Sequence, residues 1–109
     1  MSHAYEKRMS SSFYRKLSDI HLAVADLCDY YNQDLIITRI NVPRACRGEG
    51  HGSALLKEIT DEADRTGTTL WLEIMPSDGL TYEQLRDWYI RNGFKDLGGI
   101  FRRRPNAKA

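Results

Sequence analysis

A glycine-rich stretch at positions 47–53, with the sequence RGEGHGS, constrains the fold of this chain more than any other feature. It follows a β-branched run at 35–42 and leads into a helix-like segment at 53–66. Three glycines at alternate positions let the backbone turn sharply, take positive φ and approach a ligand, because no Cβ stands in the way. The N–H groups that begin the helix, together with the helix dipole, would then bind a phosphate. A plain strand-to-helix turn is the alternative if the loop is taken alone.

The composition describes one small domain without a strong electrostatic preference. The 109 residues are 41% hydrophobic and 28% charged, and 16 Lys and Arg nearly balance 15 Asp and Glu, for a net charge of +1. This balance gives no global reason to expect a nucleic-acid or membrane partner. We expect a flexible N-terminal arm at 1–12, a single domain at 13–104 and a polar tail at 105–109.

The cysteines and the apolar runs bear on the location of the protein. Two cysteines in a chain with no secretory leader, here Cys28 and Cys46, are more often free thiols of an intracellular protein than a disulfide. The N-terminus lacks an apolar core of signal-peptide length, and no apolar run is long enough to span a bilayer. We therefore expect a cytoplasmic protein with no membrane partner.

Apolar alternation predicts strands in the N-terminal third. A short strand is expected at 13–17, and a second strand begins at Ile20, where apolar and other residues start to alternate. The segment 26–34 then becomes a wide hairpin loop with Asn32 as a turn former. A helix at 18–31 is the alternative, because three apolar residues there also have helical spacing.

The middle of the chain alternates strand and helix. The run 35–42, stopped by Pro43, is apolar on both faces in its first half and predicts a central strand covered on both sides. Apolar residues at helical spacing predict a helix over 53–66 that ends at Gly67. The segment 68–75 predicts a second core strand.

A capping box announces a second helix. Thr81 and Gln84 have the required spacing, an apolar face follows, and Gly93 ends the helix. Phe94 and the pair 100–101 predict closing strands joined through two glycines. The order of these elements predicts an α/β layered domain, with a strand–helix–strand core and antiparallel hairpins at its flanks.

The spacing of the glycines separates three kinds of phosphate loop. A Walker A loop needs a lysine at the helix start, where this chain has Gly52 and Ser53, so ATP hydrolysis is disfavoured. A dinucleotide fingerprint needs a different glycine spacing and room for a doubly wound sheet. In the remaining kind, Arg, two residues, Gly, one residue and Gly precede a helix, as Arg47, Gly50 and Gly52 do here.

A second motif accompanies this loop at a consistent separation. In the segment 85–94 a helical tyrosine, Tyr89, comes four residues before a Gly-Phe pair. The loop resembles the acetyl-CoA-binding motif of the GCN5-related N-acetyltransferase (GNAT) superfamily, and the segment resembles a late motif of the same family. The resemblance covers roughly residues 35–104. It implies a GNAT-like mixed central sheet with two splayed parallel strands, two main helices and a reduced N-terminal part.

Two departures from the family pattern are visible. The residues before Leu35 leave no room for the usual first strand and two helices, which help to form the acceptor wall. The chain therefore resembles compact, N-terminally reduced members, some of them phage-borne. An Asn often found near the start of the last helix, where it contacts the cofactor, is replaced by Tyr82. One polar contact to the cofactor is thus missing.

The resemblance also implies which residues bind acetyl-CoA. The loop amides would surround the pyrophosphate, Arg47 would add a cation and Ser53 a hydroxyl, whereas the Glu49 carboxylate should point outward. The strand residues before the loop would supply backbone donors beside the pantetheine arm. His51 is expected to face solvent rather than act as a base. The implied cofactor-binding residues are Ile40, Asn41, Val42, Arg47, Gly48, Glu49, Gly50, His51, Gly52 and Ser53.

Catalysis requires an acid for the departing thiolate and a base for the amine. The resemblance assigns the acid to Tyr89, for which a place in the apolar core is the alternative. Glu73 is the first candidate for the base, because a carboxylate between two apolar strand residues must face solvent or a cleft; Asp34 and Asp78 follow it. No metal ligand set is expected.

The implied reaction is the transfer of an acetyl group from acetyl-CoA to a primary amine by direct attack in a ternary complex. A missing acceptor wall suggests an open site for a protein lysine or larger amine, or a site completed by a second subunit in a homodimer. The alternative is a non-catalytic module of the same fold that binds nucleic acid or an acidic partner through Arg86, Arg91 and the arginines at 102–104. A solvated charged edge also explains these arginines.

Overall fold

The computed structural model describes residues 6–7, 13–17, 23–42, 50–76 and 79–106, the first two of these segments by their backbone alone. The expectations for Cys46, for Arg47, Gly48 and Glu49, and for Asp78 therefore lie outside the described residues. In chain order the elements are β1 (Glu6–Lys7), β2 (Phe13–Leu17), β3 (Val24–Asp29), a 3₁₀ turn (Tyr31–Gln33), β4 (Leu35–Asn41), α1 (His51–Thr66), β5 (Leu70–Leu72), α2 (Tyr82–Arg91), β6 (Lys95–Asp96) and β7 (Phe101–Arg103).

The described strands form one mixed sheet in the order β1-β2-β3-β4-β5-β7-β6. Only the central pair, β4 with β5, is parallel, and α1 connects it; the other described pairs are antiparallel. Parallel neighbours need a crossover of this kind, whereas antiparallel neighbours need only a turn. The predicted α/β layered domain with a mixed central sheet is confirmed.

The parallel pair separates soon after it forms. β4 pairs with β5 at Leu35, Ile36 and Ile37, and β5 ends at Leu72 while β4 continues to Asn41 beside β3. A bulge accompanies the separation, because Asp26 faces Arg39 and Leu27 faces Ile37, which leaves one extra residue in β4. Bulges bend the strand that carries them. The predicted splay of the two parallel strands is therefore present, and it opens a gap in the middle of the sheet.

The two α-helices begin and end as their sequences require. α1 starts at His51, two residues before the predicted position, and ends at Gly67, which takes φ 71°. The capping box of α2 is formed: the Thr81 side chain accepts a hydrogen bond from the Gln84 amide, and the Gln84 side chain accepts one from the Thr81 amide. Such a cap satisfies backbone donors that have no partner inside the helix. The predictions of both helices are confirmed.

Both helices pack on the same face of the sheet. Phe101 and Arg103 point to one side of β7, and Arg103 contacts Asp64 on α1 as well as the carbonyl of Asn92 at the end of α2. On this side α1 buries Leu55, Leu56, Ile59 and Ala63 against Leu27, Ile37, Leu72 and Phe101 of the sheet. On the opposite side of the sheet, Ile36, Trp71 and Arg102 are half-buried. None of the helices in the described part of the chain is long and apolar enough to cross a membrane.

Two predicted elements, the hairpin loop and the second core strand, have different limits in the structure. The predicted hairpin loop over 26–34 is shorter, because β3 extends to Asp29 and buries Leu27 in the core; the alternative helix over 18–31 is wrong for the same reason. Asn32 does take the expected turn conformation, with φ 54°. The strand predicted over 68–75 shrinks to β5, because its partner turns away beyond Ile37. Glu6–Lys7, within the predicted flexible arm, form a strand that pairs with β2.

Candidate functional site

A cleft of about 580 Å³ lies where β4 and β5 separate. Its walls are the diverging strands, the first turn of α1 and one face of α2. The lining residues are Ile37, Thr38, Arg39, Ile40, Val42, Gly50, His51, Gly52, Ser53, Leu72, Glu73, Met75, Leu80, Gln84, Leu85, Trp88, Tyr89 and Arg91. Residues from both sequence motifs, which are far apart in the chain, therefore border one cavity of the size that small-molecule sites have.

The first turn of α1 opens into this cleft. Gly50 is the N-cap and takes φ 84°, a left-handed conformation that other residues adopt only with strain. Glycine has no side chain that could cap the helix, and no acidic residue lies in the first turn. The first N–H groups of an α-helix have no partner inside the helix and point along its axis, and the amides of Gly52 and Ser53 belong to this first turn. This end of the helix suits an anion.

Gly52 provides a close approach between three elements. A Cβ built on it would lie in van der Waals contact with Cγ2 of Val42, just after β4, at 3.4 Å, and with the ring of Trp88 on α2, at 3.9 Å. The indole Nε1–H of Trp88 donates a hydrogen bond to Oγ of the neighbouring Ser53, at 3.0 Å. The helix start, the strand end and α2 are thus in contact at one point on the cleft wall.

Tyr89 lies on the wall formed by α2 and is 9% exposed. Its ring packs against Trp88, with centroids 4.9 Å apart, and meets Phe94 edge-on at 5.6 Å. Burial in these apolar surroundings raises the pKa of the phenol to about 12, because a buried phenolate would lose its hydration. The phenol therefore remains a neutral hydrogen-bond donor over the usual pH range. Both predicted settings, cleft and apolar core, apply to this residue.

Glu73 lines the cleft just beyond the end of β5 and is exposed. Two cations, Arg39 and Arg91, line the same cavity. Arg39 also forms an ion pair with the nearly buried Asp26, with 3.5 Å between Nε and Oδ2. Glu73 is the one carboxylate among the described residues of the lining, which therefore hold two guanidinium groups and one carboxylate.

Some of the predicted site residues line the cleft, and others lie outside it. Asp34 accepts a hydrogen bond from Nε1 of Trp71 at 2.8 Å, and it does not line the cleft. Tyr82, which stands where an Asn was expected, is 37% exposed at the start of α2. His51 is half-buried at the start of α1 rather than fully in solvent. Ile40, Val42, Gly50, Gly52 and Ser53 line the cleft with it, and Asn41 is half-buried between two of them.

The arginines of the predicted basic face are largely engaged in contacts within the chain. Arg103 makes two hydrogen bonds to the Asp64 carboxylate, at 2.8 and 3.1 Å. Nε of Arg86 donates to Asp96 at 3.0 Å, and the hydrogen bonds from the Gly98 amide and from Arg86 lower the pKa of that carboxyl. The guanidinium of Arg102 lies 5.9 Å from the centre of the Trp71 ring, on the other side of the sheet from Arg103. These arginines do not form a single free surface.

Sequence reasoning missed the part that Trp88 and the two arginines of the cleft play. Trp88 is 35 residues from Ser53 in the chain, and no local spacing connects them. The sequence did contain an indication for Arg39. A strand residue shortly before the phosphate loop points either into the core or towards the gap, and an arginine favours the gap. Among the described residues, no group of three or more His, Cys, Asp or Glu side chains is arranged to hold a metal ion.

Known proteins match this chain in structure but not in sequence. No protein-family model and no curated protein matches the sequence. The ribosomal-protein-S18-alanine N-acetyltransferase from Escherichia coli superposes with a TM-score of 0.70 at 19% identity, over 93% of this chain and 74% of that one. An acetyltransferase of the GNAT family from Staphylococcus aureus Mu50 gives a TM-score of 0.62 at 13% identity, over 86% and 67%.

A protein that this chain covers almost completely is also similar. The anti-CRISPR protein AcrVA5 superposes with a TM-score of 0.66 at 21% identity, over 84% of this chain and 97% of that one. The matched part of this chain therefore corresponds to nearly all of a compact protein as well as to most of longer acetyltransferases. With the strand order, the splayed parallel pair and the cleft between them, these matches show that the chain has the fold of the GCN5-related N-acetyltransferases.

Proposed function

We propose that the protein is an acetyl-CoA-dependent N-acetyltransferase that acts on a primary amine. The observation that carries the proposal is the cleft between β4 and β5, which joins an anion-attracting helix start to a buried tyrosine and an exposed carboxylate. Solved structures with this fold support the class of reaction, because they include a ribosomal-protein-S18-alanine N-acetyltransferase and a nourseothricin acetyltransferase.

The residues of the cleft fit acetyl-CoA. Its pyrophosphate would bind at the first turn of α1, where Gly50 allows the sharp entry and the absence of a Gly52 side chain leaves room for close approach. Arg39 and Arg91 add positive charge for an anionic ligand. The edge of β4 beyond Ile37, no longer paired with β5, borders the gap that would hold the pantetheine arm. Arg47, Gly48 and Glu49 belong to the same proposal from sequence alone.

Acetyl-CoA, when bound, supplies a thioester carbonyl: the amine nitrogen forms a bond to the carbonyl carbon, the carbon–sulfur bond breaks, and the sulfur leaves with its electron pair. The amine must be neutral to attack, although a lysine amine with an ordinary pKa near 10.4 is mostly charged at neutral pH. Glu73 would accept its proton, directly or through water, and pass it to solvent. The exposure of Glu73 in the cleft lining suits this exchange.

Tyr89 would stabilise the departing sulfur by hydrogen bonding. With a pKa of about 12, the phenol is a much weaker acid than a thiol of pKa near 8.5, so complete transfer of its proton would be uphill by about 5 kcal/mol. A donated hydrogen bond costs no such transfer and strengthens as charge develops on sulfur. The proton that finally neutralises the thiolate then comes from solvent.

The acceptor would be an amine on a protein or another large molecule. Glu73 provides attraction for a cationic amine, and the exposed side chains of Met75 and Leu80, 72% and 46% accessible, offer apolar contacts at the cleft lining. A buried pocket for a small metabolite would enclose such groups. A homodimer that closes the cleft is the alternative, and sedimentation with and without acetyl-CoA distinguishes the two arrangements.

Calorimetric titration with acetyl-CoA and a thiol-release assay with lysine-containing and N-terminal-amine peptides test the proposal. We expect binding, and release of CoA that depends on the peptide. Tyr89→Phe should lower kcat about 10²-fold with little change in CoA affinity, and Glu73→Gln should lower kcat/KM and move the pH optimum upward. Absence of binding at millimolar acetyl-CoA would overturn the function, whereas full turnover by Tyr89→Phe would overturn only the role of the phenol.

A further inference from the structure

Among the cleft residues, Trp88 has one polar group, the indole N–H, and this group has a defined hydrogen-bond partner. The ring is half-buried between Tyr89 and the start of α1, and its Nε1–H donates to Oγ of Ser53 at 3.0 Å. An indole nitrogen can only donate, so the Ser53 oxygen must be the acceptor. The orientation of the hydroxyl is therefore constrained by a residue 35 positions later in the chain.

This constraint determines what Ser53 can offer a ligand. A hydroxyl has one hydrogen to donate and two lone pairs. Because one lone pair accepts from Trp88, the hydroxyl hydrogen cannot point at the indole and is directed elsewhere. Ser53 is exposed, lies in the first turn of α1 and lines the cleft. Its hydrogen is thus available to an anion bound at the helix start, beside the amides of the same turn.

We propose that Trp88 is a positioning residue that holds the Ser53 hydroxyl as a donor to the pyrophosphate of acetyl-CoA. The inference rests on the proposed function and adds a residue of α2 to the phosphate site of α1. The ring lies beside the first turn of α1, since a Cβ built on Gly52 would be in van der Waals contact with two of its atoms, at 3.9 and 4.0 Å. The substitution Trp88→Phe would keep an aromatic ring against Tyr89 and remove the N–H that donates to Ser53.

Calorimetric Kd values for CoA in four proteins test the inference: wild type, Trp88→Phe, Ser53→Ala and the double variant. We expect Ser53→Ala to weaken CoA binding about tenfold and Trp88→Phe about fivefold, because each affects one hydrogen bond to a charged group. The double variant should bind no more weakly than Ser53→Ala, since Trp88 acts through the hydroxyl. Effects that multiply in the double variant would overturn the inference.

A shorter thioester distinguishes positioning from direct contact or general damage. S-acetylpantetheine lacks the pyrophosphate, so Trp88→Phe should turn it over with unchanged kcat/KM, while the same variant should show a raised KM for acetyl-CoA at an unchanged kcat. A loss on both substrates would mean that the indole contacts the pantetheine arm or supports Tyr89, and would overturn the inference.

Trp71→Phe is the matched control, because Trp71 also donates through its indole but binds Asp34 outside the cleft. It should leave the Kd for CoA unchanged, and circular dichroism should show that all variants remain folded. If the wild type binds CoA and Trp88→Phe binds it equally well, the inference alone fails. If the wild type binds no CoA, the proposed function and the inference fail together.

Discussion

Tyr89 shows how burial determines the chemistry of a single residue. The aromatic rings around it exclude water, and the resulting cost of a phenolate raises its pKa to about 12. The same packing that argues for a structural role therefore produces a persistent neutral donor, which a departing thiolate needs. The role of Tyr89 as a core aromatic residue and its proposed role as a hydrogen-bond donor therefore depend on the same burial.

The raised pKa of Tyr89 predicts a specific alkaline instability. Below pH 10 the phenol is neutral in both folded and unfolded chains, so it contributes no pH dependence there. Between about pH 10 and 12 the unfolded chain loses this proton and the folded chain retains it, so the free energy of unfolding falls by about 2–3 kcal/mol as pH rises through that range. Urea unfolding of wild type and Tyr89→Phe at several pH values measures the difference. We expect the wild type to lose stability relative to Tyr89→Phe as pH rises above 10. A difference in the free energy of unfolding that stays constant with pH would contradict the raised pKa of Tyr89.

The glycines of the loop have different physical reasons for being glycine. Gly50 adopts φ 84° with open space around its missing Cβ, so its requirement is conformational. Gly52 lies inside the helix, where a Cβ would be in van der Waals contact with Val42 at 3.4 Å, so we expect its requirement to be the close approach of a ligand. The sequence spacing alone treats these two positions as equivalent.

At the level of elements, α2 is fixed at both ends. Its start is closed by the capping box of Thr81 and Gln84. Its end is held from β7, because Nε of Arg103 donates to the carbonyl of Asn92 at 3.1 Å while the rest of the guanidinium binds Asp64 of α1. Arg103 thereby links β7 with both helices that border the cleft.

Removing the partner of Arg103 should therefore destabilise the domain. Asp64→Ala leaves a guanidinium, whose side chain is only 12% exposed, without its two carboxylate bonds, and we expect a loss of about 2 kcal/mol in the free energy of unfolding. Asp61→Ala on the same helix is the control, because its ion pair with Lys57 is 52% and 71% exposed and should contribute about 0.5 kcal/mol or less. Equal losses in chemical denaturation would refute a linking role for Arg103.

For the whole molecule, local sequence signals predicted the elements better than their limits. The spacing of apolar residues predicted both helices, with Gly67 marking the end of α1 and the Thr81 cap the start of α2. The β-branched run predicted β4. The length of β5 depends on where β4 bends away, and the extent of β3 depends on its pairing with β4, which buries Leu27. The contact between Trp88 and Ser53 likewise joins distant parts of the chain. Such properties arise only when the sheet has formed, so local patterns cannot contain them.

The splayed pair predicts where a ligand should protect the backbone. Beyond Ile37 the β5 side of β4 borders the cleft instead of a paired strand, so a bound molecule that bridges the gap should slow amide exchange on both sides of it. With CoA at about 100 times its Kd, we expect exchange at 38–41, 50–53 and 73–75 to slow by up to about 100-fold, because opening then requires release of the ligand. The segment 24–29, paired with β4 from the other side, is the internal control and should change little. Hydrogen exchange followed by mass spectrometry measures all four segments in one experiment. Protection concentrated at 101–103 would place the ligand at the arginine-rich edge instead, and would contradict a cofactor site in the gap between the parallel strands.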